Sequence, residues 1–202
     1  VIKRLNEELP IDIYSTFMGA HEFPEEYKDD REAYIRILED EMIPKVAESG
    51  LAEYFDIFTE DHVYNIDQSR RLMKKAKEFG FKLRMHADEI KPISGAELAA
   101  EMEAVSADHL GAASDEGIKA LANKNVIATL LPGTIFSLGM DSYARARKMI
   151  SEGVAVALAT DYNPGSCNCD DMQMIITIAC LQMKMLPAEA ITASTINAAC
   201  SL

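Results

Sequence analysis

The sequence predicts an α/β protein whose parallel sheet is part of a TIM-type (β/α)8 barrel, and three observations predict it. Strand-like apolar runs alternate six times with longer stretches of helical periodicity. Some of those runs are almost continuously apolar, as in "VAVALAT" at 154–160, which suits parallel strands covered on both faces. Chemically capable side chains fall just beyond the ends of the runs, the place where a barrel gathers its functional groups. The competing doubly wound sheet calls for a glycine-rich phosphate turn after its first strand, and neither GxGxxG nor a P-loop occurs.

The first strand is expected at 11–19, "IDIYSTFMG", followed by a loop with His21 and Pro24. A helix over about 30–48 follows and stops at Gly50, since glycine readily takes the left-handed conformation that ends helices. The second strand, "YFDIFTE" at 54–60, leads to a helix over 66–79 ended by Gly80. The third strand lies in "FKLRMHADE" (81–89), with a helix over 94–103 after it. A brief "AVSADHL" (104–110) is the fourth, and Ser114 marks the capped start of the next helix. "VIATLLPG" (126–133) is the fifth strand, followed after a loop by a helix over 143–153. The sixth is "VAVALATD" (154–161), and the remainder reads as helices over 171–185 and 187–200.

Composition narrows the function classes. With 202 residues, 49% hydrophobic and 26% charged, the chain suits one globular domain over 1–202, without repeats or a low-complexity linker. A net charge of −13 argues against nucleic acid or an anionic membrane as partner. No run is long enough to span a membrane, and "VIKRLNEELP" does not read as a signal peptide. Cys167, Cys169, Cys180 and Cys200 show no CxxC spacing, so free thiols in a cytoplasmic protein are expected. The opening lacks an initiator methionine and the text stops inside a helical pattern, so a piece of a longer protein is expected.

The chemistry gathers at the strand ends. His21 follows the first strand, Glu60 and Asp61 the second, and His86, Asp88 and Glu89 the third. His109 ends the fourth, Pro132 and Gly133 the fifth, and Asp161 the sixth. Three of only four histidines thus hold corresponding positions, which random placement would rarely produce. His62 has no such company and reads as an ordinary loop residue, and the acidic pair at 88–89 has a plain alternative as solvated loop charge. Imidazole and carboxylate ligands from separate strands suit a divalent zinc or iron ion, which Asp161 could bind. Glu89 is then placed to pass a proton to a departing nitrogen, and His109 to polarise a carbonyl under attack, with Asp161 also orienting the water. Together these describe hydrolysis of an amide-like bond.

At these residues the chain resembles the imidazolonepropionases, metal-dependent amidohydrolases of histidine degradation. The matching segments are "STFMGAH", "MHADE", "GAELAAEMEAVSADHLGAASDEGIKALA", "VIATLLPGT", "ALATDYNPGSC" and "STINAAC", in consistent order over nearly the whole chain. The resemblance implies opening of the ring of 4-imidazolone-5-propanoate to N-formimidoyl-L-glutamate. It implies His86 and Asp161 as metal ligands, with Glu89, His109 and Asp161 as catalytic groups. His21, Glu89, Asn163, Gly165 and Ser166 are implied to bind the small-molecule substrate or product. It also implies that the six strands are the third to eighth of the barrel. The first two strands and a small β-sandwich domain would be absent, as is the HxH pair of metal ligands. This chain alone is accordingly expected to be inactive, and its open sheet edges invite homo-oligomerisation. Two other readings stand beside it: an amidohydrolase acting on a purine or pyrimidine amine, and a non-catalytic barrel remnant.

Overall fold

A computed structural model describes residues 1–202. Its six strands are β1 (Thr16–Ala20), β2 (Tyr54–Thr59), β3 (Lys82–Ala87), β4 (Ser106–His109), β5 (Ile127–Leu130) and β6 (Val156–Leu158). They pair in the order of the sequence, and every neighbouring pair is parallel. A doubly wound sheet reverses its strand order partway across. This one never does, so right-handed crossovers place the connections on one face, as in a barrel. β1 and β6 do not pair with each other, and the arc is left open between them.

The helices are α1 (Ile2–Glu8), α2 (Arg31–Ile37), α3 (Ile43–Ser49), α4 (Ile66–Glu78), α5 (Gly95–Met102) and α6 (Asp115–Lys124). After β5 come α7 (Pro132–Ser137) and α8 (Ala146–Ser151), and after β6 come α9 (Met172–Gln182), α10 (Pro187–Thr192) and α11 (Ala198–Cys200). A π-helical turn at Leu38–Met42 joins α2 to α3, so the helix expected over 30–48 is one nearly continuous element. None of these helices is long and apolar enough to cross a membrane. All four cysteines are free.

The period of two along each strand separates two surfaces. Phe55 and Ile57 of β2 and Leu83 and Met85 of β3 are buried in one apolar cluster with Leu72, Met73 and Ala76 of α4. At about 25 cal/mol per Å² of apolar surface removed from water, this contact is what holds the helical layer to the sheet. The opposite surface is different in kind. There the guanidinium of Arg84 lies 4.0 Å from the ring centroid of Tyr54, and His86 meets Asp56 and Phe58. The interior of the arc is therefore polar at its middle, between an aromatic floor and an imidazole-lined rim.

Local signals explain most boundaries. Asn65 caps α4 by accepting from the N–H groups of Asp67 and Gln68, and the Gln68 side chain accepts from Asn65 N–H in return. Ser114 accepts from Gly117 N–H at the start of α6. Gly50 and Gly80, at φ of 61° and 85°, take the left-handed conformations that end their helices. The first strand begins at Thr16 rather than at 11, because its partner begins at Tyr54, directly opposite Thr16, and residues before that have no ladder to join. β6 likewise shrinks to the three residues that face Ala128, Thr129 and Leu130. The expected loop after β5 contains α7, which Pro132 starts with a φ suited to a first helical turn.

Replacing Asn65 by alanine removes the side-chain acceptor that serves the N–H groups of Asp67 and Gln68. The expected loss is about 1 kcal/mol, lowering Tm by roughly 2–4 °C in thermal unfolding followed by circular dichroism.

Candidate active site

The C-terminal ends of the strands converge on one cleft of about 360 Å³, walled by Met18, His21, Phe58, His86, Glu89, His109, Asp161, Asn163 and Ser166. All the site residues anticipated from the sequence line it except Gly165, which lies beside Ser166 in the adjoining loop. Three imidazoles form a row. The His21 and His86 ring centroids are 4.9 Å apart and those of His86 and His109 are 5.1 Å apart, while Phe58 stacks on His21 at 5.2 Å.

His86 is turned by a residue that the sequence reading passed over. Asp56, buried in the middle of β2, accepts a hydrogen bond from the His86 Nδ1 at 3.0 Å. Burial alone would lower the His86 pKa, but the charge and hydrogen bond of Asp56 outweigh it and raise the group to about 9. The same pair holds Asp56 below the ordinary carboxylate range in spite of its burial, a matching direction. Asp108, opposite His86 on β4, is pushed up to about 6 by burial and by the charge of Asp56. Asp56, His86 and Asp108 form a compact group whose potential ligand atoms lie within 4.8 Å of one another. The clue in the sequence was an aspartate interrupting the apolar run "YFDIFTE".

His109 is held differently. Burial and the neighbouring His86 charge push it down to about 3, which leaves a neutral imidazole at pH 7. Its Nδ1 lies 3.5 Å from Glu89 Oε1. Burial raises the Glu89 pKa, so this carboxyl holds a proton more readily than an exposed glutamate. Burial likewise lowers His21, with the His86 charge adding to the effect.

The β3 loop that carries Glu89 is clamped from both sides. Asp88 is completely buried and accepts from the N–H groups of Ile93, Gly95 and Ala96, which also anchors the start of α5. The acidic pair at 88–89 is therefore a structural clamp beside a cleft residue, and the solvated-loop alternative is overturned. Glu60, equally buried, accepts from Asp61, Ile90 and Lys91 N–H. Gly111 closes the same corner: a Cβ there would sit 2.7 Å from the Glu89 carbonyl oxygen. Backbone strain collects here too. Asp88, His109, Leu110 and Asp161 have φ of 48°, 68°, 58° and 54°, each a conformation costing about 1–3 kcal/mol for a residue with a side chain.

Asp161 accepts a hydrogen bond from the Thr134 hydroxyl of α7 through Oδ2 at 2.5 Å, leaving Oδ1. Asn163 organises its own loop. Its carbonyl oxygen accepts from Gly165 and Ser166 N–H, and its amide donates to the Asp161 carbonyl and the Ser166 hydroxyl. The backbone N–H groups of Gly165 and Ser166, two residues implied to bind substrate, are thus committed to the turn. His62 sits in a loop outside the row, edge-on to Phe58 at 5.8 Å, as an ordinary residue.

The donor set fits a metal ion. Asp56 occupies the Nδ1 of His86 and leaves Nε2, and Thr134 occupies one oxygen of Asp161 and leaves the other. An imidazole nitrogen and a carboxylate oxygen lining the same cleft suit a borderline divalent ion, as part of a larger ligand set.

No family model matches the chain. Curated relatives do. The chain is 52% identical over 201 residues to the imidazolonepropionase of Alkaliphilus oremlandii, covering 100% of the chain and 48% of the relative. It is 54% identical over 195 residues to that of Treponema denticola, covering 96% of the chain and 47% of the relative. Among solved structures, an adenosine deaminase from Xanthomonas campestris with bound zinc superposes with a TM-score of 0.69 at 18% identity, covering 94% of the chain and 48% of the deaminase. That likeness supports the partial barrel. Identities of this size over nearly the whole chain show that it belongs to the imidazolonepropionase family, spanning about half the length of the curated relatives it matches.

Proposed function

We propose that this chain is the catalytic part of a metal-dependent hydrolase that opens the ring of 4-imidazolone-5-propanoate to N-formimidoyl-L-glutamate. The observation that carries the reading is the convergence of His86, Glu89, His109 and Asp161, from three separate strand ends, on one cleft. In this reading β1 to β6 are the third to eighth strands of a (β/α)8 barrel, and residues 1–202 are a single incomplete barrel domain. The remaining strands and metal ligands come from sequence outside this chain. The active species is then the longer protein, and this chain alone turns nothing over.

The reaction adds the oxygen of water to the ring carbonyl carbon, breaks the adjoining carbon–nitrogen bond and leaves a proton on the departing nitrogen. His86 Nε2 and Asp161 Oδ1 would hold part of a divalent zinc or iron site, and such an ion makes water acidic enough to attack near neutral pH. Asp161, fixed by Thr134, orients that water. His109 turns one nitrogen towards Glu89, and its other nitrogen is left to donate to the carbonyl oxygen as charge develops there. Glu89, held between the Asp88 and Glu60 clamps, passes the proton to the leaving nitrogen. The His21 ring, stacked on Phe58, offers a flat face against which a planar heterocycle can lie.

Three outcomes test this in the full-length protein. His86→Ala and Asp161→Ala should each lower bound metal, measured by elemental analysis, and abolish turnover; undiminished activity in either would sink the assignment. Glu89→Gln should keep the metal and slow turnover by about 10²–10⁴-fold, the usual worth of a positioned acid–base group. Gly111→Ala should drive the Glu89 carbonyl out of place and lower kcat with metal content unchanged, so wild-type kcat would show that this close approach does not position Glu89. Turnover of a purine or pyrimidine amine in place of the imidazolone would instead favour an aminohydrolase.

A further inference from the structure

We propose that Asp56 is the positioning residue for His86, fixing the tautomer and the angle of its ring for an ion in the cleft. This deepens the reading of His86 as a metal ligand and rests on it. An ionised carboxylate only accepts, so a hydrogen bond from Nδ1 to Asp56 at 3.0 Å keeps a proton on Nδ1 and makes Nε2 the nitrogen that gives up its proton to bind an ion. Asp56 has 4% of its surface exposed, with Phe55 and Ile57 on either side facing the helical layer. A carboxylate placed there loses its hydration and needs a partner to offset that loss.

The neighbouring cation does not take that role. Arg84 stands opposite Asp56 in the strand register, yet it stacks on Tyr54 and donates to the Ser201 carbonyl at 2.7 Å. Nor does the second carboxylate orient the ring. Asp108 faces His86 across β4, but its Oδ1 is buried without a hydrogen-bond partner. The imidazole is confined on its remaining sides by Phe58, His21 and His109, so the bond to Asp56 removes the last freedom, a flip of the ring.

The test uses the full-length protein and zinc affinity measured by competition with a chromophoric chelator. Asp56→Ala should weaken zinc binding by up to about 100-fold, and Asp56→Asn, which keeps the shape and an acceptor oxygen, by about tenfold. The cobalt(II)-substituted Asp56→Asn protein should show shifted visible absorption bands, a change that a purely structural role would not produce. Should Asp56→Ala fail to fold, Asp56→Asn decides by the same two readouts. Wild-type zinc affinity and cobalt spectrum in Asp56→Asn, alongside metal loss in His86→Ala, would overturn the positioning role and leave His86 a ligand. Wild-type zinc affinity in His86→Ala would overturn both.

Discussion

Backbone N–H groups in the loops around β3 have no strand or helix to bond, and the site depends on how they are satisfied. A buried donor without a partner costs about 1–3 kcal/mol. Glu60 and Asp88 each meet three such donors with a single carboxylate, and both are shut away from water. The charge that would be expensive in an apolar core is solvated here by peptide dipoles. The loop between the clamps has little freedom left, and Glu89 is presented to the cleft as part of a rigid corner. His109 and Gly111 arrive from the next strand against that corner, which explains why its backbone tolerates positive φ at residues with side chains.

The same economy recurs deeper in the sheet, where polar side chains pair with each other in place of the branched aliphatic layers that fill most barrels. Tyr54 supports Arg84, and Asp56 supports His86. A polar interior is tolerable because most of its groups have partners; the unpaired Arg84 Nε and Asp108 Oδ1 are exceptions. The helix-facing side carries the apolar burial, so stability and chemistry occupy opposite faces of the same strands.

Much of this was legible in the residues themselves. Histidine is scarce in this chain, so its recurrence at strand ends carried information, and the cleft does gather His21, His86 and His109. Gly50, Gly80 and Ser114 marked helix ends because each has one dominant local use. The buried carboxylates were not legible in the same way. Aspartate and glutamate number 33, most of them ordinary surface charge by type, and only the apolar run around Asp56 and the strand end at Glu60 set these two apart, without indicating a partner. Their roles depend on partners about 30 residues away, across a strand pair. The start of β1 escaped for a related reason, since the partner strand, and not the propensity of residues 11–15, decides where the ladder begins.

Sequential strand order also bears on how the chain acquires its shape. Each strand pairs only with the strand made just before it and the one made just after. Loop closure then never spans more than one strand–helix unit, and its entropy grows only slowly with such lengths. Sheet growth can keep step with synthesis, each unit docking on a template already in place, as in a linear array. One group of contacts lies outside that rule. Arg84 and Tyr54 bond the carbonyls of Ser201 and Leu202, more than a hundred residues later, and these latches can close only after the sixth strand has been laid down.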